Sequence, residues 1–184
     1  MKSSVLIIAT VLALGGCGGG DDKQADAPST SAKPPVASPS APGPAPSADG
    51  RLEKVGATAL KPIANGTLTS IETEGPGWEV QVISPDGTEH ETTVDAAGDR
   101  ITRTVPKQEG QADRDEHQRR IKAAKLDYRK AAEAMRSAVP GARITELNLD
   151  TYRGATVWEG DLIASNGTKH EVKIDAGSGK VLAK

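Results

Sequence analysis

The chain has 184 residues, with 23 Lys and Arg against 25 Asp and Glu, for a net charge of -2 at pH 7. That balance offers no cationic surplus for a phosphate backbone, so nucleic-acid binding is excluded as the main activity. Two Trp, two Tyr and no Phe leave any core to Val, Ile, Leu and Ala, and a single cysteine rules out an internal disulfide or a cysteine-cage metal site.

Residues 1–16, MKSSVLIIATVLALGG, place one positive charge at Lys2 before an apolar run from Val5 to Leu14 and small residues ahead of Cys17. This is the layout of a signal peptide. The run has about half the residues that a helix needs to cross a bilayer, so the segment is expected to be removed. Leu14-Gly15-Gly16-Cys17 resembles the lipobox of bacterial lipoproteins, in which the cysteine becomes the first residue and carries the lipid. The resemblance implies lipid attachment at Cys17 and a location on the extracytoplasmic face of the cell membrane; the alternative is a chance cysteine after an ordinary secretory signal.

Residues 17–50 are Gly, Ser, Ala and Pro with a few charges, and seven of the twelve prolines fall between Pro28 and Pro46. Such a composition cannot bury a core and is expected to be a disordered spacer. Leu52, Val55, Ala59 and Ile63 then recur at helical spacing. Thr67 to Glu74 reads as a strand, and Trp78, Val80 and Val82 alternate with Glu79 and Gln81 in a second one. Asp86-Gly87 reads as a tight turn of the kind that needs positive φ. The next strand sets His90, Thr92 and Val94 on one face and ends at Asp95-Ala96-Ala97-Gly98.

Residues 105–127 are a charged linker that also starts a helix. The pattern predicts one long helix from near Asp113 to Val139, with Ile121, Tyr128 and Met135 seven apart, as are Ala124, Ala131 and Ala138. Ile121 and Ala124 either pack against the first unit or project as a coiled-coil seam or exposed spacer. The basic residues from Arg119 to Lys130 read as a solvated face, with contact to anionic lipid as the alternative.

Trp158-Glu159, Asn166-Gly167-Thr168, His170-Glu171 and Asp175-Ala176 repeat the earlier pattern eighty positions on, and nine of the nineteen residues from Trp78 to Ala96 recur from Trp158 to Ala176. Trp78, Gly87, Asp95, Trp158, Gly167 and Asp175 are therefore read as anchors of a structural repeat. The expected fold class is α+β, each unit a helix packed on a small antiparallel meander. An alanine-containing helix ending in Gly, the Trp78-Glu79-Val80 strand, the Asp86-Gly87 turn and the Val94-Asp95-Ala96-Ala97-Gly98 ending resemble the PepSY domain, over 51–104 and again over 128–184. The second copy departs from the first: Gly160 stands where Val80 does, and extra residues around Asn148 to Ala155 lengthen its first hairpin.

His90-Glu91 and His170-Glu171 invite a metal reading. A helical zinc-peptidase motif needs a second His four residues on, and those positions are Val94 and Ile174. Each His is read as capping the end of a small core; the alternative is a metal shared by His90, Glu91, His170 and Glu171 across a pseudo-two-fold. No nucleophile has supporting residues, so no catalysis, cofactor or small-molecule substrate is expected. PepSY domains occur in the propeptides of secreted metallopeptidases and as free envelope proteins. The resemblance thus implies a lipid-anchored binding protein that regulates or inhibits an extracytoplasmic peptidase or envelope partner; the alternative is a metal- or ligand-binding accessory of a membrane sensor.

Overall fold

Leu52, Val55 and Ala59 line the buried side of helix α1 (Arg51–Leu60) in the computed structural model, which describes residues 50–184. The proposed signal segment, Cys17 and nearly all of the Pro-rich stretch lie outside the described residues. After α1 the chain runs through β1 (Thr67–Glu74), β2 (Gly77–Ile83), β3 (Glu89–Val94) and β4 (Ile101–Pro106), each antiparallel to the one before. The alternation in β2 has a direct physical outcome: Trp78, Val80 and Val82 are buried against the helices, while Glu79 and Gln81 point to the other face.

The single long helix predicted between Asp113 and Val139 is two helices, α2 (Gln111–Ala123) and α3 (Tyr128–Ala138). Ala124 turns extended, at φ -74° and ψ 128°, and Asp127 caps α3 by accepting from the Lys130 N–H at 3.0 Å. The Lys125 and Leu126 N–H groups both donate to the Ala176 carbonyl, at 2.9 and 3.0 Å, so the break is stapled to the end of the second half's strands. These long-range bonds are absent from the local pattern, which is why periodicity alone ran the helix through. Ile121 and Ala124 pack against the common core.

From α3 the chain continues through β5 (Arg143–Tyr152), β6 (Ala155–Ile163), β7 (Lys169–Asp175) and β8 (Val181–Ala183). The described residues thus form an α+β fold of three helices and one eight-stranded antiparallel sheet, ordered β4-β3-β2-β1-β5-β6-β7-β8. Two units were expected, each with its own small meander; their strands are found in one continuous sheet. The free edge of β1 would expose unpaired backbone groups, and β5 covers it through Ser70 opposite Asn148, Ile71 opposite Leu147 and Glu72 opposite Glu146.

Ile71 and Leu147 are both fully buried at this seam, a burial that contributes about 1.5–3 kcal/mol for each such side chain. One apolar cluster therefore runs from Leu52 and Val55 of α1 to Met135 of α3 and Ile174 of β7. The two helices also meet directly. Tyr128 Oη–H donates to the Glu53 carbonyl at 3.2 Å, and the Arg136 guanidinium grips the Glu53 carboxylate with two bonds, at 2.5 and 3.1 Å.

Candidate functional site

The corners that precede the His-Glu pairs are built alike. Ser84 N–H donates to Thr88 O at 3.0 Å and Gly87 N–H to Ser84 O at 2.9 Å; Ala164, Thr168 and Gly167 repeat both bonds at 2.9 Å. Three residues form each loop, and only the glycine has positive φ, 87° at Gly87 and 83° at Gly167. The two-residue turn read from Asp86-Gly87 is corrected accordingly: a three-residue loop needs one left-handed position, where a type I′ turn needs two. Asp86 and Asn166 act through their side chains, each accepting from the N–H two residues on at 3.0 Å. Hydrogen bonds from Ser84 and then Thr88 hold the Asp86 carboxyl down at about 2. The Asp95 carboxylate accepts from Asp99 and Arg100 N–H, and that of Asp175 from Ser178, closing the next turn in each half.

His90 and His170 sit where these corners enter β3 and β7, opposite Val82 and Leu162 on the helix-covered face. His90 Nε2 lies 3.2 Å from Ser84 Oγ. The adjoining glutamates point the other way, as successive strand residues must. There Glu91 pairs with Arg103 at 2.7 Å, and Glu171 pairs with Lys173. A His and its neighbouring Glu therefore cannot close on one ion. Nor can the two pairs: β2, β1, β5 and β6 separate β3 from β7, and five inter-strand steps amount to about 24 Å. The shared metal site is overturned by this separation.

Trp78 and Trp158 are both buried in the cluster beneath the helices, and the Trp158 Nε1–H donates to the Leu126 carbonyl at 2.9 Å. Their faces are committed to the core. The sheet's open face and its two edges lie elsewhere.

The open face carries a row of carboxylates that pairwise reading of the sequence missed. Glu79 on β2 stands opposite Glu72 on β1, Glu72 opposite Glu146 on β5, Glu146 opposite Asp161 on β6, and Asp161 opposite Glu171 on β7. Directly opposed side chains have Cβ atoms about 5 Å apart, and like charges there are destabilising. Burial, then the neighbouring carboxylates, raises the Glu72 carboxyl above its usual range, with Glu146 the first neighbour; for Glu79 burial is followed by Glu91. The row was invisible beforehand because it depends on the β1–β5 pairing.

A raised carboxyl costs stability when charged, and the cost vanishes as pH falls through its folded value to the unfolded one. Glu72→Gln and Glu79→Gln should each raise stability at pH 7, by up to about 1 kcal/mol, with the gain gone below about pH 4. Glu53 behaves oppositely. Burial pushes its carboxyl up, but bonding to Arg136 more than offsets this and leaves it lowered, so its contribution is held above the usual carboxylate range and lost on acidification. Urea melts of the glutamine variants across pH decide the point; a pH-independent gain would contradict it.

At the edges, β4 and β8 each have one unpaired side. On β8, Val181 and Leu182 are 42% and 41% exposed, the two exposed large hydrophobic residues among the described ones. No helix among the described residues is long and apolar enough to cross a membrane.

Residues 125–184 match the PepSY family, described as peptidase propeptide and YPEB domain. Among curated proteins no relative matches. Among solved structures, the chain is similar to a candidate lipoprotein from Clostridium difficile 630, with 17% identity over 64% of this chain and 80% of that one and a TM-score of 0.42.

Proposed function

We propose that this protein, whose residues 125–184 form a PepSY domain, is a lipid-anchored binding protein that restrains an extracytoplasmic peptidase or another envelope partner. The family description is that of a peptidase propeptide, a class that regulates without turnover. Residues 51–104 and 128–184 serve as two copies of one module joined by 105–127, with 1–16 as the signal peptide, Cys17 as the anchor and 17–50 as the spacer. The order of helix then four strands occurs twice along the chain, and the strand order is symmetric about the β1–β5 seam, which supports that reading.

The observation that carries the binding mode is the β8 edge. It lies inside the PepSY domain, is three residues long, and leaves Val181 and Leu182 open to solvent beside unpaired backbone groups. A partner's extended segment adds there as a further strand, main-chain bonds supplying affinity and the two apolar side chains selection. The opposite edge, β4, offers Thr102, Arg103 and Thr104 exposed, a polar strip less suited to an apolar peptide.

The test is capture of envelope peptidases by the mature full chain, followed by assay of the recovered enzyme. A recovered peptidase should be slowed, and a Val181→Asp/Leu182→Asp variant should lose at least tenfold in inhibition. The mature chain should carry a fatty-acid label that Cys17→Ser abolishes. Peptidases that are neither recovered nor slowed would sink the proposal.

A further inference from the structure

Helix α2 has no fully buried residue and joins the two halves of the molecule, so beyond the contact of Ile121 with the core it is held by polar fastenings. One fastening is an ion pair, Arg120 to Asp150 on β5 at 3.0 Å. The other is His117. Its Nε2 lies 3.3 Å from a Glu89 oxygen on β3 and 3.3 Å from a Glu109 oxygen in the segment before α2. One potential ligand atom from each residue falls within 4.8 Å of the other two.

This cluster is poorly satisfied as it stands. Glu89 is only 3% exposed, and Glu89 Oε1 and Glu109 Oε2 are two of the three buried side-chain atoms without a hydrogen bond among the described residues; the third, Arg114 Nε, is one turn earlier on α2. Lys107 Nζ pairs with Glu89 Oε1 at 2.5 Å, but its own side chain is 37% exposed, so the buried carboxylate is held by a cation that can leave into solvent. A single ring nitrogen can donate one proton, so it cannot serve both carboxylates. A buried carboxylate oxygen without a partner, as at Glu109 Oε2, is costly and calls for a compensating one.

We propose that Glu89, Glu109 and His117 form a site for a divalent first-row transition metal of the zinc type, which fastens α2 to the sheet. Two carboxylates and a neutral imidazole carry the charge of -2 that such an ion balances, and the imidazole disfavours calcium and magnesium, which take oxygen ligands. Three protein ligands leave a fourth, tetrahedral position for water. The ion replaces the proton on Nε2 and displaces the Lys107 ammonium, whose exposed stem lets it swing into solvent. Metal then ties β3 of the first half to the strap leading into the second. The site stands apart from the β8 edge and does not depend on the peptidase reading.

The decisive measurement is titration of zinc chloride into the metal-free full chain by calorimetry. One ion should bind, and His117→Ala and Glu109→Gln, neither of which removes a core side chain, should each weaken it at least tenfold. Lys107→Met should tighten it severalfold, because a competing cation is gone. His90→Ala/His170→Ala should leave it unchanged. Nitrogen-15 shifts of the imidazoles in the wild-type chain report the ligand without any variant: zinc should move His117 and neither of the other two. Absence of saturable binding, binding indifferent to His117→Ala and Glu109→Gln, or shifts at His90 or His170 in place of His117 each overturn the site.

Discussion

Trp158→Ala is expected to cost about 3–5 kcal/mol, a large share of the roughly 5–15 kcal/mol that holds a domain folded. The indole is 1% exposed, in a core with no Phe to fill the gap. Its loss removes two things at once: the packing beneath the helices and the Nε1–H bond to Leu126 O. That bond matters because Leu126 and Lys125 tie the α2–α3 break to Ala176, so the truncation loosens the start of α3 as well as opening a cavity. Trp158→Phe separates the two. It keeps most of the apolar surface and leaves the Leu126 carbonyl without its donor, for a loss of about 1–3 kcal/mol. Urea unfolding followed by circular dichroism gives both numbers; a Trp158→Ala chain within about 1 kcal/mol of wild type would show that the indole is not a core anchor.

Gly160→Val should destabilise by about 1–3 kcal/mol, although aligning the two halves suggests the reverse. Val80 occupies the corresponding position in β2, and valine favours strands where glycine weakens them. A Cβ at Gly160, however, would fall on Met135 Sδ, with Cε only 2.8 Å away, and Met135 is fully buried. The methionine of α3 has taken the space that a side chain on β6 would fill. Met135→Ala should therefore rescue Gly160→Val, the double variant being more stable than the sum of the singles predicts by about 1 kcal/mol or more. Strict additivity would mean that the two residues do not share that space.

The carboxylate row and the two-helix break show where reading along the chain stops. Glu72 and Glu79 lie in strands whose boundaries follow from alternation, yet the crowding of Glu72 by Glu146 requires β1 and β5, 78 residues apart at Ser70 and Asn148, to pair. In the sequence His117 is one polar residue among many in the charged stretch 105–127. Only the packing of α2 brings it between Glu89 and Glu109, and the sparse apolar positions of that helix, Ile121 and the adjoining Ala124, do not say which strand His117 will meet. The His-Glu pairs failed in the opposite direction: their repetition is visible in the sequence, but strand geometry sends each His and Glu to opposite faces.

By itself the sequence determined the α+β class, the apolar sides of α1 and β2, the glycines of the two corners and the PepSY resemblance of the second half, because each depends on neighbours within a few positions. Hydrophobic period and turn chemistry are local, and they survive without a partner. The tertiary structure decided that the strands form one sheet, that the charged helix breaks at Ala124, that His90 and His170 are held far apart, and that His117 meets two glutamates. These follow from burying a shared apolar surface and satisfying backbone groups between distant segments, a choice made among whole arrangements of the chain.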